Sequence, residues 1–151
     1  MMRLNEEQIR EMLAAAEEHG EAVDLRGLNL SGMGLFRANL EGANLVQVDA
    51  RSTNLSGACL RRACLSAANL SQASLREADL READLSGANL FQASLYMADL
   101  RDADLRNTSL QGADLGKADL SGTNFRGARY DNYTRWPFGF DPHEHSRGGT
   151  C

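Results

Sequence analysis

Apolar residues recur along most of this chain with a period of five, which matches neither the 3.6-residue period of a helix nor the two-residue period of a strand. Over residues 25–130 every fifth position holds a large apolar residue, usually leucine, and the position two residues earlier is small, usually alanine. The only exchange of these roles is at Val48 and Ala50. A step of two keeps both side chains on one side of an extended segment, so the other three residues must turn the chain. Each pentapeptide is therefore predicted to form one short side of a coil.

Glycine supports this interpretation, because it stands two residues after the large apolar residue in eight of the units. These glycines are Gly27, Gly32, Gly42, Gly57, Gly87, Gly112, Gly122 and Gly127. The position is the third of a four-residue turn, where a type II turn needs a positive φ. The Arg-Glu pairs in the LREA units at residues 75–78 and 80–83 predict a different turn type there. A leucine-rich amphipathic helix is disfavoured, because steps of five residues drift around all faces of a helix.

The repeated A-[DN]-L-x-x unit, seen in ADLREADLSGANL at residues 78–90, resembles the pentapeptide-repeat family. About twenty consecutive units in one register, over residues 23–130, carry the resemblance. It implies an all-β solenoid, a right-handed quadrilateral β-helix in which residue n lies beneath residue n+20. A ladder of inward leucines is then expected to form the core, about 4.8 Å apart from coil to coil. Its members include Leu40, Leu60, Leu80, Leu100 and Leu120.

Both ends of such a rod expose unpaired backbone that would promote edge-to-edge association unless it is covered. The predicted segments are a capping helix at 1–22, the β-helix at 23–130, a cap at 131–142 and a flexible tail at 143–151. Asn5 and Gln8 are spaced as a capping box for the helix, whose apolar stripe includes Leu13. The aromatic residues expected to fold over the last coil are Tyr133, Trp136, Phe138 and Phe140. An amphipathic helix that binds a partner is the alternative for the first segment.

Composition and charge narrow the function classes. The 151 residues have a net charge of -5, while residues 23–130 contain twelve acidic and twelve basic side chains. No bulk preference for nucleic acid or an anionic membrane follows from this balance. Neither a membrane-spanning apolar run nor the apolar core of a signal peptide is evident, so we expect a cytoplasmic protein. The segment TRWPFGFDP is similar to the terminal segment of bacterial and cyanobacterial family members.

Catalytic, cofactor-binding and metal-binding residues are not predicted. The aspartates are plentiful, but a convex rod offers no cleft to desolvate a pair of carboxylates. His143, His145 and Cys151 would be only three metal donors, all in the predicted tail. Cys59 and Cys64 lie on neighbouring sides, too far apart for an unstrained disulfide, and are expected to be free thiols, as is Cys151.

The predicted function is that of a scaffold that presents its surface to a protein partner, with no cofactor and no direct nucleic-acid binding. The candidate partner surface is Phe91, Tyr96 and Met97, which break the polar pattern and are expected to project around one corner. A monomer is favoured.

The alternative function comes from the resemblance, since the quinolone-resistance branch of the family acts on DNA gyrase as an acidic mimic of duplex DNA. A mimic needs a dense field of one sign. In this chain the acidic column Asp79, Asp99 and Asp119 is instead expected to stand beside the basic column Arg61, Arg81 and Arg101. The predominance of leucine over phenylalanine at the inward position also disfavours this alternative.

Overall fold

The computed structural model describes residues 4–146, in which a four-sided coil is preceded by one helix and followed by another. Helix α1 spans Glu6–His19 and helix α2 spans Pro142–Ser146. Between them each side contributes a single parallel bridge to the coil above, so the sheets are columns of isolated bridges. Among residues 4–146, neither helix has the length and apolar character needed to cross a bilayer.

The backbone register shows that four pentapeptides complete one coil. Eighteen bridges, from Asp24↔Asn44 to Ser109↔Arg129, join residues n and n+20. The sides are numbered 1 to 4 from Asp24, Asn29, Gly34 and Asn39, and each corner takes the numbers of the sides it joins. The 2/3 corner is formed by residues 31–32, 51–52, 71–72, 91–92 and 111–112. The 3/4 corner is formed by residues 36–37, 56–57, 76–77, 96–97 and 116–117.

All corners have the same turn conformation. A hydrogen bond closes each turn, as from Ala78 N to Leu75 O, and the third turn residue has a positive φ whether or not it is glycine. The prediction of a different turn for the LREA units is wrong, because Glu77 and Glu82 have φ values of 57° and 58°. Stacking explains the uniformity: each corner must match the corners directly above and below it, so the coil overrides the preference of the single residue.

The core is the inside of the coil. The five ladder leucines at 40, 60, 80, 100 and 120 are buried, and alanines fill most of the small positions between them. Thr53 and Thr108 occupy small positions and donate their hydroxyls to the backbone carbonyls of Leu30 and Leu105. Within residues 4–146 no buried side-chain nitrogen or oxygen lacks a hydrogen-bond partner. The interior is therefore apolar and closed, and chemistry is confined to the outer surface.

Helix α1 packs on the first coil. Asn5 and Gln8 form the reciprocal capping box at its start, and Gly20 ends it in the left-handed conformation. Ile9 is fully buried in the core. Leu13 is half-buried against the same cluster.

The C-terminal segment adds one more side with a single inserted residue. Arg135 pairs with Asp114 at a spacing of 21 rather than 20, so the regular backbone pairing extends past residue 130. The Thr134 hydroxyl, buried like those of the coils, donates to the carbonyl of Leu110 at 2.8 Å.

Of the four aromatic residues expected to fold over the last coil, two pack there and two do not. Trp136 and Phe140 pack on Phe125, with ring centroids 5.7 and 5.6 Å from it. Phe138 is fully exposed and Tyr133 mostly so, because each lies in a tight turn that points its ring outward. Residues 143–146, expected to begin a flexible tail, belong instead to helix α2, in which His145 stacks on Phe140. Residues 147–151, including Cys151, lie outside the described residues.

Candidate functional site

The outward residue of each side has a local structural role. In fifteen units an Asp or Asn side-chain oxygen accepts a hydrogen bond from the backbone N–H two residues later. This Asx arrangement ties the side to the following corner. It accounts for the Asp or Asn before the leucine of the repeat. Eight of the twelve carboxylates of residues 23–130 are therefore committed to the scaffold.

Side 4 and its neighbouring corner carry a self-paired charge network. Arg81 binds Asp79 with both ends of its guanidinium, and Arg101 binds Asp99 in the same way. Arg81 also lies 3.7 Å from Asp99 of the next coil, and Arg101 lies 3.8 Å from Asp119. The column of aspartates therefore lies beside the column of arginines, and attraction between the two columns offsets the repulsion within each.

The network shifts the titration of its members. Hydrogen bonds from Arg81 hold the pKa of Asp79 below its ordinary value, and those from Arg101 act in the same way on Asp99. Hydrogen bonding to Asp79 in turn raises the pKa of Arg81. The ion pairs balance most of the charge on side 4 and its neighbouring corner, so this part of the rod presents no dense field of one sign.

Exposed apolar side chains lie on the other half of the surface. Phe36 is 53% exposed and Met97 48% exposed, and both lie on the 3/4 corner. Phe138 lies in the turn that follows Arg135 and continues that corner. Phe91, 44% exposed, lies on the 2/3 corner, and Tyr133 continues that one. The large exposed hydrophobic residues of the described chain are thus confined to the two corners that border side 3.

The predicted grouping of Phe91, Tyr96 and Met97 around one corner is wrong. A step of five residues is a quarter of a coil, so Phe91 lies on the 2/3 corner while Tyr96 and Met97 lie on the 3/4 corner. Tyr96 is also half-buried: the Arg76 guanidinium lies 4.7 Å from its ring centroid, and the Lys117 ammonium lies 5.8 Å from it. The three residues border one side of the rod rather than forming a single cluster.

Side 3 itself is small and almost uncharged between these corners. Its outward residues are Gly34, Asn54, Ser74, Ser94, Asp114 and Arg135. The four nearest the N-terminal end carry no charge, whereas side 4 has three aspartates. Phe36 is a further member of this surface that was not predicted from the sequence. The available signal was its separation of sixty residues from Tyr96, a multiple of twenty.

The described cysteines and histidines form no metal site. Cys59 and Cys64 are free and half-buried in outward positions. His143 contacts the Tyr130 hydroxyl at 3.3 Å, and His145 contacts the carbonyl of Asp141. Over residues 4–146 no three His, Cys, Asp or Glu side chains are grouped to hold a metal.

Comparison with known proteins identifies the family. The model for pentapeptide repeats matches in eight copies, over residues 35–72, 60–95, 68–107 and 98–129. The chain belongs to the pentapeptide-repeat family. Pentapeptide-repeat proteins are right-handed quadrilateral β-helices, in agreement with the four-sided coil, and they are generally non-enzymatic structural or interaction proteins.

Solved structures of pentapeptide-repeat proteins are similar to this chain. Rfr23 from the cyanobacterium Cyanothece 51142 is 29% identical, covering 85% of this chain and 99% of its own, with a TM-score of 0.48. HetL from Nostoc sp. PCC 7120, a protein involved in heterocyst differentiation regulation, is 32% identical over 85% of this chain and 70% of its own, with a TM-score of 0.39.

A third similar structure is that of QnrB1, a plasmid-mediated fluoroquinolone resistance protein. It is 18% identical over 73% of this chain and 63% of its own, with a TM-score of 0.58, a likeness that shows the fold alone. A search of curated proteins returns no match for the sequence.

Proposed function

We propose that this protein is a non-enzymatic scaffold whose rigid β-helix presents one side to a protein partner. The observation that carries the proposal is the division of its surface. The exposed large hydrophobic residues lie on the two corners that border side 3, while side 4 is covered by paired charges. Apolar and aromatic side chains on a polar surface are the composition of a protein-binding region.

The partner surface comprises side 3 with its two bordering corners, including Phe91, Tyr96 and Met97. Its backbone is held by bridges from coil to coil, so little conformational freedom is lost on binding.

Affinity capture from the source organism tests the proposal. The bait is the folded chain, compared with a double variant, Phe91→Ser with Tyr96→Ser. The double variant should retain less of the captured protein at an unchanged melting temperature. A matched control, Val46→Ser with Gln47→Ser on the 1/2 corner, should capture as the wild type does. Equal capture by all three proteins would exclude this surface.

We further propose that α1 and residues 131–142 act as caps that keep the protein monomeric. The proposal is supported by the packing of Ile9 on the first coil and of Trp136 and Phe140 on the last. Deleting residues 1–21, or truncating after Tyr130, should cause self-association that light scattering detects. Truncation after Ser146 serves as the control. A monodisperse monomer from both shortened chains would contradict the capping role.

Inhibition of DNA gyrase by mimicry of the duplex is the alternative, and the charge network argues against it. Arg81 and Arg101 alternate with Asp79 and Asp99, so this side has no run of unpaired negative charge. A gyrase supercoiling assay at micromolar protein should show no inhibition. Clear inhibition would favour the alternative over the scaffold.

A further inference from the structure

The 3/4 corner holds three cations that no carboxylate of the described residues pairs with. They are Arg37, Arg76 and Lys117. Seven other arginines of the rod do form ion pairs: Arg26, Arg51, Arg61, Arg62, Arg81, Arg101 and Arg106. Arg126, Arg129 and Arg135 also lack an ion pair within residues 4–146, but they lie on three different faces, so the 3/4 corner holds half of the unpaired cations of a chain whose net charge is -5.

Each of the three cations rests against an aromatic ring of the same corner. The Arg37 guanidinium carbon lies 5.1 Å from the centroid of Phe36. Arg76 and Lys117 both lie against Tyr96, at 4.7 and 5.8 Å. Cation–π contacts of this kind restrict long side chains, so less side-chain entropy is lost when an anion binds them.

A depression of about 450 Å³ lies along the corner between Phe36 and Arg76. Its lining residues are Phe36, Arg37, Ser56, Gly57, Arg76 and Glu77. The absence of a side chain at Gly57 keeps it open, because a Cβ there would lie 3.1 Å from Cγ of Arg37 and 4.0 Å from the Phe36 ring. The depression therefore has an aromatic wall and two cationic edges, with Glu77 as its single carboxylate.

The corner runs parallel to the axis of the rod, which sets the shape of its ligand. Phe36 and Lys117 are four coils apart, roughly 19 Å at about 4.8 Å per coil. An extended peptide covers that distance with about six residues. A ligand of this length could contact all three cations and both rings.

We propose that the 3/4 corner binds an acidic segment of the partner protein in an extended conformation, with apolar side chains seated against Phe36 and Tyr96. The inference rests on the proposed scaffold function and specifies the chemistry of its partner. Three unpaired cations provide the charge complementarity, and the exposed Phe36 and Met97 provide apolar contacts. Single-stranded nucleic acid fits less well, because it carries a charge on every nucleotide, whereas Glu77 and Asp114 interrupt the positive charge along the corner and a peptide can place uncharged residues there.

Selection from a random dodecapeptide phage library on the immobilised full-length protein tests this chemistry. Enriched peptides should carry an excess of Asp and Glu together with apolar residues. The affinity of a selected peptide, labelled with fluorescein, is then measured by anisotropy. Arg76→Gln should weaken it about twofold to fivefold, and the triple variant Arg37→Gln, Arg76→Gln, Lys117→Gln should weaken it more than about tenfold. Glutamine is compatible with the positive-φ position, as Gln47, Gln72 and Gln92 show.

Two further variants test the direction of the charge effect and provide a control for its location. Glu77→Gln removes the one carboxylate of the depression and should strengthen binding of the acidic peptide. Arg126→Gln makes the same charge change as Arg76→Gln on the 1/2 corner and should leave binding unchanged. All these positions are exposed, and melting curves verify that the fold is retained.

Several outcomes would overturn the inference. These are neutral or basic selected peptides, no enrichment at all, acidic peptides that bind the triple variant equally well, or tighter binding of a labelled oligothymidylate to the same corner. Loss of self-association in the triple variant alone would instead assign the corner to a second copy of this chain. If cellular capture still depends on Phe91 and Tyr96, any of these results leaves the scaffold proposal standing.

Discussion

The Glu6 carboxylate accepts a hydrogen bond from the backbone N–H of Gly34, with Oε2 2.9 Å from the nitrogen. Arg10 donates to the carbonyl of Gly34 at 2.7 Å and also binds Glu6. One coil higher, the N–H and carbonyl of Asn54 are paired with Met33 and Leu35 of the coil below. Side chains of α1 thus form the hydrogen bonds to the Gly34 backbone that the backbone of a preceding coil would otherwise form.

Replacing Glu6 with alanine should lower the free energy of unfolding, because the Gly34 N–H loses a charge-assisted partner. Glu7→Ala is the matched control. Glu7 is also an acidic residue of the first turn of α1, so both variants change the helix dipole interaction alike. Urea denaturation of the two variants measures the difference. Equal losses would show that the contact with Gly34 contributes nothing.

The architecture could be predicted from the sequence because the five-residue period is uninterrupted. The four sides and the register of twenty were implied by the resemblance to the pentapeptide-repeat family, and the structure has this register in eighteen bridges. The conformation of the LREA corners could not be predicted from local preference, because stacking of neighbouring coils imposes it. Glu77 and Glu82 therefore adopt φ values that isolated glutamates avoid.

A glycine substitution at such a corner should relieve this strain. Ala67 is exposed with a φ of 55°, so Ala67→Gly should stabilise the protein by roughly 0.5–1 kcal/mol, the left-handed penalty less the added chain entropy. Ala68→Gly, at the neighbouring buried position, should destabilise it by about 1 kcal/mol through lost packing. Thermal melts distinguish the two. A melting temperature lowered in both variants would contradict the strain argument.

The candidate surface was predicted less completely than the fold. The sequence pattern was enough to identify Phe91, Tyr96 and Met97 as departures from the polar surface. The expectation that they share one corner was wrong, because a step of five residues advances the chain to the next corner. Phe36 belongs with Tyr96 only through the stacking of three coils. Whether Arg76 forms an ion pair depends on which side chains lie above and below it, so this could not be predicted from the sequence.

Stability should decrease at acidic pH because the pKa values of Asp79, Asp99, Asp104 and Asp119 are lowered in the folded state. The stabilisation from each is fully present above the unfolded-state value of about 3.9 and is lost as the pH falls through the folded-state value. Melting temperatures measured from pH 7 to pH 2 should therefore fall below about pH 4. An unchanged melting temperature across this range would show that these aspartates do not link stability to pH.

The double variant Asp79→Asn with Asp99→Asn tests which groups cause the acid sensitivity. Asparagine retains the oxygen that accepts the N–H bond of the following corner but cannot form the charged pair with arginine. The variant should be less stable than the wild type at pH 7 and should lose less stability on acidification. An unchanged acid response would place the titrating groups elsewhere.

The C-terminal cap distinguishes two phenylalanines that are two residues apart. Phe140 packs against Phe125 and stacks on Trp136 with their ring centroids 5.2 Å apart, whereas Phe138 is exposed at the tip of its turn. Phe140→Ala should therefore cost about 2–3 kcal/mol, somewhat less than truncation of a fully buried ring. Phe138→Ala should change the free energy of unfolding by less than about 0.5 kcal/mol. Chemical denaturation of both variants measures these values, and an equal loss would mean that Phe138 covers the last coil after all.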